Sequence, residues 1–226
     1  MSEEISIILR NVAIWFLPVL FAITVHEAAH GWVAYQLGDF TAKRAGRVTL
    51  NPIKHIDPIG TVILPLLMLI VSGFILGWAK PVPVNFYQLK QPRRDMALVA
   101  LAGPGANLLM ALFWAIVAKL GLFIQDFYQP AIFFFVVGGA GILINAMLMV
   151  LNLLPILPLD GGRVLHSLLP PQLAEPFGQL EPFGFIILIA LLFIGLLNKV
   201  LLPMVFFIYE QLAFLFNIPE LLNLLS

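Results

Sequence analysis

Apolar residues run almost unbroken through five stretches of the chain, 5–36, 60–77, 95–123, 131–153 and 183–216, and polar residues gather between them. Crossing a hydrocarbon core of about 30 Å takes about 20 helical residues, so each stretch is a candidate span. The last is long enough for one kinked helix or two short ones, with the break expected near Asn198 to Pro203. Between the first two stretches, Gly38 to Ile59 is mixed and polar, and "GRVTL" at 46–50 has the character of a strand. A second polar segment, "WAKPVPVNFYQLKQPRRD" at 78–95, is rich in proline. The pattern predicts an all-α polytopic membrane protein with a small strand-like and re-entrant segment at about 40–94. No linker or internal repeat divides the chain, so residues 1–226 are expected to form a single membrane domain.

Composition fixes the class more firmly. Hydrophobic residues make up 61% of the 226 and charged ones 11%, and the mean hydropathy of +1.01 lies outside the range of soluble domains. Net charge is zero and no basic tract exists, which leaves no electrostatic case for nucleic-acid binding. With no cysteine, disulfides and thiolate chemistry are excluded, and histidine and carboxylate are the strong metal ligands left. The opening Met1-Ser2-Glu3-Glu4 lacks the basic start of a signal peptide, so the first run is expected to be a permanent span.

Charge also orients the chain. Residues 38–59 and 79–94 carry eight of the twelve Lys and Arg, and the positive-inside rule puts both on the cytoplasmic side. Only the run 60–77 separates them, so it must dip in and return or lie against the bundle, and Pro65, Gly73 and Gly77 interrupt it. The resulting multi-pass topology has an extracytoplasmic N-terminus, a first helix running inward, 95–123 outward and 131–153 inward.

Within the first run, fifteen uncharged residues follow Arg10, and then "HEAAH" at 26–30 places three ionisable groups together. Such groups cost about 2.5–3.5 kcal/mol each in a membrane helix and call for a partner. His26 and His30 are four apart, so both imidazoles leave one helix face in a geometry that can bind Zn²⁺. Glu27, beside the first histidine, fits the H-E-x-x-H pattern of zinc peptidases, in which the glutamate takes a proton from the metal-activated water. The bland alternative is a polar helix end hydrogen-bonded to its neighbours.

A zinc site needs a third protein ligand, and "NLLPILPLDGGR" at 152–163 offers Asp160. Pro155 and Pro158 end the helix, and Gly161 and Gly162 allow a tight turn that can aim the carboxylate back into the bundle. The alternative makes Asp160 an N-cap for a short helix over 162–168. The three residues can share one ion only if the inner end of the first helix and the end of 131–153 face one side, which again requires 60–77 to return. Asn107 is read first as a hydrogen-bond partner of a neighbouring helix, with substrate binding the lesser option. His55 with Asp57 reads as a solvated interfacial pair, and Trp114 and Lys119 as positional anchors.

These motifs, with "GPGAN" at 103–107, make the chain resemble the site-2 protease family of intramembrane zinc metalloproteases, in its compact form without PDZ or CBS domains. The resemblance covers most of the chain. It implies that His26, His30 and Asp160 bind one Zn²⁺ per chain, that Glu27 is the catalytic acid/base and that Asn152 holds the substrate or its oxyanion. It further implies a three-helix catalytic core, 5–36, 95–123 and 131–153, with peripheral helices, and an active site within the cell membrane toward the cytoplasm. The substrates would be membrane proteins with a transmembrane segment, drawn from the lipid bilayer, one of whose unwound strands could pair with residues 46–50 while 60–77 acts as a lateral gate. The sequence leaves the oligomeric state open. Two other classes stand beside this one. A zinc-dependent transporter or channel would need ligands on both halves of a repeat, and none is seen; a non-proteolytic scaffold for membrane segments would have no use for Glu27.

Overall fold

The computed structural model describes residues 2–63 and 80–224. The expectation that 60–77 returns without crossing rests on residues 64–77, which lie outside the described residues. Helix α1 (Ser2–Gln36) carries the HEAAH motif on its C-terminal third. It stops where Gly38 takes φ 109°, and the Asp39 N–H reaches back to the Ala34 carbonyl at 2.9 Å, a glycine-terminated helix end. Asp39 is fully buried. One of its carboxylate oxygens accepts from Thr41 N at 2.8 Å, opening the short helix α2 (Thr41–Arg44). The other accepts from Asn85 N at 2.7 Å, tying the two polar segments together.

Helix α3 (Pro92–Ile124) begins three residues before the apolar run, because Pro92 supplies a first-turn residue with no N–H to satisfy and the Asp95 carboxylate accepts from Gln91 N at 2.8 Å. Helix α4 (Ile132–Asn152) follows after a short turn. Helices α1, α3 and α4 pack on one another, the α3–α4 contact being the most extensive. Small residues make that possible: a Cβ on Gly138 would lie 2.6 Å from Ala118, and one on Gly141 would lie 2.2 Å from the Trp114 ring. Trp114 is thus a core residue, 6% exposed, and not the interfacial anchor its position suggested.

After α5 (Asp160–Leu168) and α6 (Pro171–Gly178) come α7 (Gly184–Phe193) and α8 (Leu196–Leu215). The break in 183–216 therefore falls at Gly195, at φ 73°, and not at 198–203. Glycine takes the left-handed conformation without steric cost, while Pro203 is carried inside α8. Leu197, Leu201 and Val205 of α8 pack against Ala146 and Val150 of α4. Among the described residues, five helical stretches are long and apolar enough to cross a membrane: Ile5–Gln36, Pro92–Ile124, Gln129–Asn152, Pro171–Phe193 and Leu196–Leu215. The protein is all-α and polytopic.

The strand-like segment is a correction. Residues 46–50 form turns and bends and no ladder among the described residues. Their polar groups are taken up locally: Arg47 N donates to Ala42 O, the Thr49 hydroxyl accepts from Asn51 N, and the Thr49 carbonyl accepts from His55 Nε2. His55 is accordingly buried, 2% exposed, and not solvated. The two polar segments share one end of the helices, since Leu37 O accepts from Lys90 N at 3.1 Å and His55 O from Lys80 N at 3.0 Å.

Candidate metal centre

Two elements bring ionisable groups to one point. The HEAAH turn of α1 presents His26 and His30, and the turn after α4 presents Asp160. The Nε2 atoms of the histidines lie 3.0 Å apart, and each is 3.3 Å from Asp160 Oδ2. The side chains are only 9, 12 and 13% exposed.

Each imidazole is held by its other nitrogen. His30 Nδ1 meets the Val99 carbonyl of α3 at 2.7 Å, an acceptor only, so this nitrogen carries the proton. His26 Nδ1 meets Asn107 Oδ1 at 2.6 Å. The orientation of that amide is fixed in turn, because Asn107 Nδ2 donates to the Ala22 carbonyl at 3.2 Å and to Asn145 Oδ1 at 2.9 Å, while Asn145 Nδ2 donates to Gly141 O at 2.8 Å. Both Asn107 and Asn145 are fully buried. The network leaves both Nε2 lone pairs turned toward each other and toward a carboxylate.

Gly103 lets α3 come this close: a Cβ there would stand 2.4 Å from His30 Nε2 and 2.5 Å from His26 Cε1. A matching constraint shapes the Asp160 turn, where a Cβ on Gly161 would lie 2.2 Å from Leu153 O and one on Gly162 2.5 Å from Leu157 N. Asp160 is the first residue of α5, behind the N-cap Leu159, and its carboxylate caps no N–H. The N-cap alternative is thereby set aside.

Asp160 Oδ2 is buried without a hydrogen-bond partner. Two imidazole lone pairs and an orphaned carboxylate oxygen at about hydrogen-bond spacing repel one another unless a cation stands among them. The donor set of two nitrogens and one oxygen is that of catalytic zinc sites, which keep a position open. The three residues could hold a metal ion, their ligating atoms all lying within 4.8 Å of one another.

Glu27 lies beside this cluster on α1, and its Oε2 accepts from Val82 N at 2.7 Å. Asn152 is not joined to the cluster by any hydrogen bond; its Nδ2 donates to Leu148 O of its own helix at 2.9 Å. Asn145 and the Val82 amide went unnoticed in the sequence. An Asn in the middle of the apolar run 131–153 was the available signal for the first, and nothing local marks the second.

A polytopic helical membrane protein with a buried His-His-Asp cluster of metal-ligand geometry is the class these observations define. No family model and no solved structure matches the chain. Relatives do. "Putative zinc metalloprotease YwhC" of Bacillus subtilis (strain 168) is 40% identical over 192 residues, 83% of this chain and 84% of the relative. "Putative zinc metalloprotease Rip2" of Mycolicibacterium smegmatis is 31% identical over 194 residues, 84% of this chain and 71% of the relative. Its namesake in Mycobacterium tuberculosis is 29% identical over 195 residues. The chain belongs to the site-2 protease family of zinc metalloproteases.

Proposed function

We propose that the protein is an intramembrane zinc metalloprotease that hydrolyses peptide bonds within or near the transmembrane segments of membrane-protein substrates. The observation that carries this reading is the orphaned Asp160 Oδ2 facing two imidazole nitrogens inside helices long enough to span. The names of the relatives support the same activity.

His26, His30 and Asp160 would hold one zinc ion per chain. When bound, that ion supplies Lewis-acid chemistry, polarising a carbonyl and making water nucleophilic near neutral pH. Glu27 takes the proton from the attacking water and returns it to the leaving amine, with one oxygen held by Val82 N and the other available for exchange. Asn152 would donate to the substrate carbonyl, a step that requires its amide to leave Leu148 O. His30 lies six residues before the end of α1 at Gln36, about 9 Å along the axis, so the reaction takes place inside the helical bundle near its cationic end. By charge bias that end is cytoplasmic and the N-terminus lies on the other side.

The test uses purified protein in detergent with a single-pass membrane substrate, with and without a chelator, and mass spectrometry of the products. Cleavage inside the apolar segment, lost on chelation and regained with zinc, is expected. Cuts confined to exposed loops would overturn the intramembrane assignment.

A further inference from the structure

The catalytic arrangement leaves one buried cation unexplained. Arg47 is 6% exposed, its guanidinium meets no carboxylate among the described residues, and its Nε has no hydrogen-bond partner. A buried guanidinium is costly, and this one spends its donors on two neutral acceptors, the carbonyls of Lys80 at 2.5 Å and Pro81 at 3.4 Å. The next residue, Val82, gives Glu27 its hydrogen bond.

The segment Arg47 grips is preset by its sequence. Lys80 and Val82 each precede a proline, which drives both toward extended backbone, and Pro81 and Pro83 have no N–H. Val82 is therefore the one residue of Pro81–Pro83 that can donate to a neighbour. Lys80 N is anchored on His55 O at 3.0 Å, so the segment is held on both sides of the Lys80 peptide. It also sits tightly on α1 one turn below Glu27, where a Cβ on Gly31 would lie 3.1 Å from the Val82 side chain and 3.2 Å from that of Val48.

We propose that Arg47 is a positioning residue for Glu27: its guanidinium fixes Lys80 and Pro81 so that Val82 N holds Oε2 of Glu27 and the carboxylate faces the reacting water in one orientation. The inference rests on the proposed protease activity and adds a residue to it. Arg47 touches neither substrate nor the metal ligands, so its loss lowers turnover without removing metal or binding.

Three single variants and one double variant test it in the purified, zinc-loaded protein. Arg47→Met removes the donors and the buried charge together, so no unpaired charge is left inside the protein and a cooperative thermal transition is kept. Turnover falls about 100-fold, the scale of a small misplacement of a reacting group, while KM changes less than about twofold and zinc content is unchanged. Arg47→Lys, which can reach one carbonyl, restores part of the loss. Val82→Pro deletes the N–H itself, and it reproduces the fall in turnover. The double variant is no worse than Val82→Pro alone, because Arg47 acts through that N–H. Wild-type turnover in Arg47→Met or in Val82→Pro, or a loss matched by lost zinc, overturns the inference while the protease reading stands. Wild-type protein that cleaves nothing when zinc-loaded overturns both.

Discussion

At the residue scale, the histidines are set by what holds their far nitrogens. His30 Nδ1 is pinned by a backbone carbonyl, which no substitution of a side chain removes, whereas His26 depends on the Asn107 amide. The groups that hydrogen-bond the far nitrogen of a metal-binding histidine are worth about 10–100-fold in affinity or activity. Asn107→Leu is therefore expected to weaken zinc binding by about that factor, read by competition against a chromophoric chelator. It also strips Asn145 Oδ1 of its donor, at a cost of about 1–3 kcal/mol in stability. His26, Glu27, His30 and Asp160 stood out in the sequence because charged groups in an apolar run need a reason. Asn145 and Val82 did not, since their partners are fixed by packing between segments 38 and 55 residues apart.

At the element scale, the Asp160 turn is what brings a carboxylate back to the two histidines. The segment 152–162 folds back so closely that neither Gly161 nor Gly162 can carry a side chain, and the start of α5 turns its first carboxylate to the histidines instead of capping itself. Gly161→Ala is expected to cost at least about 1–3 kcal/mol by overpacking against the Leu153 carbonyl and to lower zinc occupancy, measured by thermal unfolding and metal analysis of the same sample. The helices themselves were legible as apolar runs, because length and hydropathy decide them. Their ends were less so. The break at Gly195 was misplaced toward Pro203, since a proline breaks a helix only where its missing N–H and ring cannot be accommodated, and a glycine can end one anywhere. The strand expected at 46–50 did not form, because its polar groups are satisfied by nearby side chains and by turns.

At the scale of the whole molecule, the position of the site and the distribution of charge are one fact. The polar segments that carry most of the Lys and Arg meet at the end of α1 nearest the HEAAH motif, joined through Asp39, Lys90 and Lys80. The chain has no native cysteine, so single cysteines report topology directly. Cysteines at the exposed positions Lys54 and Lys90 should react with an impermeant thiol reagent only when the cytoplasmic face is opened, and one at exposed Asp126 should react from the opposite face. Labelling of all three from one side would contradict the orientation. The central claim, that Glu27 performs proton transfer beside a zinc ion held by His26, His30 and Asp160, is tested most directly by Glu27→Gln. Purified wild type and variant are compared for zinc content and for cleavage of one single-pass membrane substrate in the same preparation. The account predicts equal zinc, one ion per chain, with cleavage lost by at least about 10²-fold, the lower end of what general acid–base catalysis contributes. Undiminished cleavage by the zinc-loaded variant would contradict it.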